Sequence, residues 1–125
     1  MLSKAQVVRV RKAIESLYIG SCTVSEYQKV IKPNKSTGFK EVVVLENQPC
    51  RASFENINAT NSTDNLASSV VQIITLFIAP ELEIKPGSKI TVNQNSTVKS
   101  YKLSGEPALY DTHQEIVLEL FDDWA

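Results

Sequence analysis

The side chains able to do chemistry are few. His113 is the single histidine, and it follows Asp111-Thr112. A Ser-His-Asp set can be written on paper with any serine, but no Gly-x-Ser-x-Gly elbow is present to expose a nucleophile. A lone histidine beside a strand reads as structural. Carboxylates pair at Glu81/Glu83, Glu115/Glu119 and Asp122/Asp123. The first two pairs have strand spacing that puts both carboxylates on one face, which reads as a solvated face rather than an acid/base pair. Cys22 and Cys50 fit no metal pattern, having no CxxC partner and no second histidine. They read as two buried thiols on strands, with a bridge geometrically open but unsupported. Gly87 and Gly105 stand alone, so no phosphate-cradling loop is formed. The expectation is a protein without cofactor, metal or catalytic residues, working by shape and contact.

Composition narrows the class. At 125 residues and 42% hydrophobic, the chain reads as one domain with a proper core, residues 1–125. Thirteen basic and fourteen acidic residues give a formal net charge of −1, short of the basic excess of a dedicated nucleic-acid binder. No apolar run approaches the roughly 18 residues of a membrane span. The Asn-x-Ser/Thr triplets at Asn34, Asn58, Asn61 and Asn95 read as chance without a secretory signal.

The elements follow from periodicity. Ser3 and Gln6 form a capping box, and Val7, Val10, Ile14 and Leu17 recur at helical spacing, which predicts a helix from about residue 4 to 18 lying on a sheet. Arg9, Arg11 and Lys12 fit its dipole poorly, so they lie at the surface or meet a negative partner. Residues 21–30 alternate as a strand. Phe39 to Leu45 carries Val42-Val43-Val44, and Glu46-Asn47-Gln48-Pro49 reads as a turn into a hairpin partner, Cys50 to Glu55. Asn56 to Ser68 is too polar to bury and reads as a long loop of functional length. The apolar run 70–78 predicts a doubly buried strand. Pro86-Gly87 is a turn, followed by strands at 89–92, 97–103 and 112–120. The expected core is Ile73, Phe77, Ile90, Val92, Ile116, Leu118 and Leu120. The expected fold is mainly β: a small antiparallel barrel or sandwich of about seven strands with one N-terminal helix and a long polar loop.

Two readings of function follow. Tyr27, Tyr101 and Phe39 near Lys29, Lys40, Lys99 and Lys102 are the material of an oligonucleotide-binding barrel, against the acidic pI near 5.8. The other comes from motifs. The chain runs Pro80-Glu81-Leu82, then Ile84-Lys85-Pro86-Gly87-Ser88-Lys89-Ile90-Thr91-Val92, then a hairpin into Tyr101-Lys102-Leu103-Ser104-Gly105-Glu106-Pro107, and later His113-Gln114-Glu115. This half, about Val70 to Leu120, resembles the head-closure (stopper, or head–tail connector) proteins of long-tailed bacteriophages. The acidic residue usual after the family's turn glycine is replaced by Ser88. The resemblance implies a β-barrel subunit of the virion, assembled in the bacterial host cytoplasm. It would form a homo-oligomeric ring with portal, adaptor and tail proteins as partners, packaged DNA in the channel and no membrane. It makes Asn56, Asn58, Asn61, Asp64 and Asn65 of the long loop, with Arg9, Arg11 and Lys12 of the helix, the candidate partner-binding residues.

Overall fold

A computed structural model describes residues 3–59, 69–122 and 124. Helix α1, Lys4–Glu15, opens on the expected capping box: Ser3 accepts from the Gln6 amide, and the Gln6 side chain accepts from the Ser3 amide. It ends a turn earlier than periodicity suggests, and none of its residues is fully buried. Seven strands follow: β1 Gly20–Ile31, β2 Thr37–Ala59, β3 Ser69–Ile78, β4 Lys89–Gln94, β5 Thr97–Leu103, β6 Ala108–Leu109 and β7 Gln114–Leu120. All pairings are antiparallel.

The sheet runs β3-β2-β1-β4-β5-β7, and β3 also pairs with β7. The ladders of six strands therefore close into a ring, and β6 lies beside β7 on the edge that it also presents to β5. Closure hides backbone edges that an open sheet of this size would expose. Inside lie Val24, Cys50, Ala52, Leu76, Ile78, Ile90, Val92, Ile116 and Leu118, all buried.

The expected hairpin at residues 46–49 does not form. β2 is continuous over 23 residues and serves two partners in turn. β1 pairs along it from Thr37 to Cys50, and β3 takes over from Cys50 to Ala59. The Asn47-Gln48-Pro49 chemistry is spent on a bulge instead. Asn47 adopts φ 49°, and the register with β1 slips between Cys22/Val24 and again between Val24/Ser25. Pro49 can sit within β2 because the edge β3 will occupy is still unpaired there.

The long-loop expectation is corrected at its start. Asn56, Ile57, Asn58 and Ala59 belong to β2, and Asn58 pairs with Val70. Residues 60–68 lie outside the described residues. In β3 the buried set is Ile74, Leu76 and Ile78, one residue out of phase with the expected Ile73 and Phe77. The run's polar residues Gln72 and Thr75 have opposite parity, so it carries no single phase of its own, and pairing with β7 sets it. Leu120 is 58% exposed: the β3 ladder on β7 ends at Leu118, and beyond it only β5 flanks the strand.

Two side-chain amides fasten the connections. Gln94 accepts from the Ala52 amide at 2.8 Å and donates to the Ala52 carbonyl at 3.0 Å, acting as one rung of a ladder on β2. A Cβ at Gly20 would stand 2.9 Å from its Oε1, so this crossing needs glycine. Buried Gln114 donates to the carbonyls of Ala79 and Leu82, holding the β3–β4 connection over the ring. The hairpin turn at Asn95-Ser96 has φ 54° and 63°, the left-handed pair of a type I′ turn.

Leu76→Ala should cost about 2–5 kcal/mol, while Leu120→Ala should stay within about 0.5 kcal/mol. Urea unfolding of the two variants measures both, and equal losses would contradict this core.

Candidate functional site

Beyond the ring, β1 and β2 continue as a two-stranded arm. β4 covers β1 only from Ser21 to Ser25, so residues 26–31 of β1 pair with β2 alone. The facing part of β2, up to Pro49, has β1 on one edge and no described strand on the other. The turn at residues 32–36 closes with Lys32 donating to the Ser36 carbonyl, and Lys35 takes φ 64°. The register puts Tyr27, Lys29 and Ile31 on one face, with Phe39 and Glu41 opposite them. Ile31 is 78% and Phe39 61% exposed, and Val43 and Val44 are exposed nearby. Exposed β-branched and aromatic side chains thus lie beside a strand edge that no described strand covers.

The base of this arm is stiffened by stacking. Tyr27 stacks with Phe39, at 5.3 Å, and with Trp124, at 5.1 Å and nearly parallel. Phe121 meets Trp124 edge-on, and Lys89 lies over the Phe121 ring. The C-terminal tryptophan therefore pins the arm rather than the interior of the ring. Between arm and ring is a groove of about 650 Å³ bounded by Tyr27, Phe39, Lys85, Gly105 and Phe121. Among its charged lining residues Lys102 pairs with Glu119 at 3.5 Å, and outside the lining Lys89 pairs with Glu41 at 3.3 Å.

These contacts weigh on the oligonucleotide reading. Tyr101 is 3% exposed and cannot stack on a base. Tyr27 already stacks with Phe39 and Trp124. Lys102 is paired with Glu119, which offsets its charge beside the aromatics.

The helix candidates separate. Arg11 forms ion pairs with Glu81, at 2.9 Å through Nη2, and with Glu15 at 3.2 Å. Arg9 and Lys12 are exposed and approach neither. The negative partner expected for this basic segment is thus Glu81, a residue read from sequence as part of a solvated pair. The Arg11 guanidinium holds Glu81 below the usual carboxylate range, and Glu81 raises Arg11 in return. Asn56 is exposed on β2 opposite Gln72, and Asn58 lies in the same ladder. Asn61, Asp64 and Asn65 fall outside the described residues. The five described candidates are thus divided between α1 and the second half of β2.

His113 has both ring nitrogens engaged. Thr112 Oγ1 lies 2.9 Å from Nδ1, and Nε2 donates to Glu115 at 2.9 Å. Tyr110 stacks on its ring at 4.9 Å, and Phe77 tilts against it. Cys22 and Cys50 are free, buried thiols. A hydrogen bond with Cys50, and then burial, pushes the Cys22 thiol far up, so it stays protonated. Among the described residues, no three of His, Cys, Asp and Glu gather as a metal site. None of the described helices is long and apolar enough to cross a membrane. The Tyr18 hydroxyl is buried without a hydrogen-bond partner among the described residues.

No family model matches the chain, and no curated protein matches it. Among solved structures it is similar to the phage-like element PBSX protein xkdH from Bacillus subtilis. Identity is 12%, coverage is 78% of this chain and 90% of that one, and the TM-score is 0.45. At that distance the likeness does not bear on role.

What sequence reading missed is the arm. Its signal was present in Phe39 and the valine run, which were read as an ordinary strand because alternation says nothing about how far a partner extends.

Two expectations follow. Glu81→Gln should lower stability by less than about 1 kcal/mol near neutral pH, since the pair is largely solvent-exposed. Glu81 has a depressed folded pKa, so its contribution is present above the unfolded carboxylate pKa and disappears as pH falls through the folded value. Urea midpoints of wild type and variant should therefore converge in acid; a gap that persists there would assign the loss to packing. Tyr18→Phe should be neutral or stabilising in the same assay, because it removes a buried hydroxyl that has no partner.

Proposed function

We propose that this chain is a structural subunit of the head–tail connector of a long-tailed phage. It joins copies of itself into a ring that closes the DNA-filled head and gives the tail a docking surface. The observation that carries this reading is the arm. It projects an uncovered apolar face, with Ile31, Phe39 and Val43 exposed, beside an unpaired strand edge. A ring needs two different, complementary lateral faces on each subunit. An arm reaching from one subunit to the ring of strands in the next is a head-to-tail contact of that kind. The motif resemblance between Val70 and Leu120 supplies the phage context, and it falls on the β4–β5 hairpin and β7, elements of the closed ring.

On this reading the virion is the site of action, and portal, adaptor and tail proteins are the partners. Packaged DNA occupies the channel, and no catalytic step is required. Satisfied stacking at Tyr27 and burial of Tyr101 favour it over a stand-alone oligonucleotide-binding barrel.

Replacing residues 28–40 with an Asn-Gly turn should remove the arm and spare the ring of strands, since Tyr27 and Glu41 are already opposite each other. The shortened chain should keep its circular dichroism spectrum and cooperative unfolding. It should sediment as a monomer where the full chain assembles with portal, and complementation with it should yield tailless or DNA-leaking particles. Infectious particles at normal titre would remove the arm from the mechanism.

A further inference from the structure

A second surface lies away from the arm. Where α1 ends, the chain leaves a cleft of about 300 Å³ between the helix and the outer face of β2 and β3. Ile14, Leu17 and Tyr18 form its helical side, and Phe77, Arg51 and Ser53 form its floor. Arg51 and Phe77 are direct partners in the β2–β3 ladder, so guanidinium and ring share one face. His113 closes one end, with its imidazole engaged by Thr112 and Glu115.

The charge balance here is incomplete. The neighbouring cation Arg11 is matched by Glu81 and Glu15. Arg51 is half-buried, and its side chain makes no ion pair or hydrogen bond with any described residue. Low-dielectric walls strengthen the field of a single cation, and a guanidinium presents a planar fork matched to a carboxylate. The volume is at the bottom of the range for ligand pockets, enough for a short segment rather than a nucleotide-sized molecule.

We propose that this cleft binds an acidic residue adjacent to an aromatic one, presented by an extended segment of a protein partner. The aromatic ring lies against Ile14, Leu17 and Phe77, and the carboxylate pairs with Arg51. The assignment goes beyond the connector reading and uses a different face of the molecule.

The test is a titration of the isotopically labelled full chain, followed by NMR at the Arg51 side chain and the amides of the cleft. Four probes are compared: a blocked Phe-Asp dipeptide, its neutral Phe-Asn counterpart, 3-phenylpropionate and inorganic phosphate. Phe-Asp should shift the cleft signals saturably, and Phe-Asn should bind at least tenfold more weakly. Arg51→Gln should lose at least tenfold for Phe-Asp with its unfolding temperature unchanged, and Arg51→Lys should fall between. Equal binding of Phe-Asp and Phe-Asn would overturn the role of Arg51. Phosphate or 3-phenylpropionate binding as tightly as the dipeptide would replace the peptide ligand with a free anion and overturn the assignment to a protein partner. Absence of any shift at millimolar probe would dismiss the site. Should Arg51→Gln fail to fold, the Phe-Asp and Phe-Asn comparison on the unaltered chain still decides. Ring assembly plays no part in this measurement, so its outcome and that of the connector proposal are separable.

Discussion

Everything in this molecule depends on one strand being shared in series. β2 gives its first half to β1 and its second half to β3, and only at Cys50 do both partners meet it. At about 3.3 Å per residue its 23 residues have a contour of roughly 75 Å. A compact chain of this length has a radius of gyration of about 14 Å. The strand is therefore too long for the body it crosses, and pairing must continue outside it. The arm is a geometric result of that mismatch. The bulges around Val24 and Asn47 turn the strand between body and arm, and the closed ring can form because the same strand serves both sides.

Once the ladders are closed, polar side chains do the work that loops alone would do poorly. Gln94 satisfies both backbone groups of Ala52, and Gln114 satisfies two carbonyls of the connection before β4. Gln114 is buried and Gln94 half-buried, where an unmet donor would be costly. Shape is thus specified by directed bonds as well as by the Leu76, Ile90 and Ile116 core. The helix is held differently. It has no buried residue and is tied by the Arg11–Glu81 pair and by the side chains over the cleft, contacts that exposure keeps weak.

The sequence was legible where the physics is local. The capping box, the Asn95-Ser96 turn, Gly87 with its φ of 82° and strand β5 all lie where residue chemistry puts them. The tally of one helix and seven strands also holds among the described residues, but by compensation: β2 joins two expected strands, and the short β6 is new. Long-range facts were not legible. Asn47-Gln48-Pro49 suits a turn and a bulge equally, and pairing across β1 decides between them. The phase of β3 is settled by β7, forty residues later, because the polar residues within its own run, Gln72 and Thr75, point to opposite phases. Of the candidate site residues, Arg11 found the acidic partner its charge called for, while Arg9 and Lys12 are solvated. Arg51 drew no notice from sequence, since an unmatched charge becomes visible only when the space around it is known.

The continuity of β2 has a mechanical consequence. A pull on the arm along the strand direction is transmitted through covalent bonds into the middle of the ring, then across to β3. Antiparallel ladders loaded lengthwise resist in shear, with many hydrogen bonds sharing the force, whereas a pull across the arm would open them one at a time. The molecule is therefore anisotropic: stiff along β2 and compliant at right angles to it. A load on the molecule would be borne well only in one orientation, and under the proposed connector role that sets how the subunit is seated relative to the direction of load.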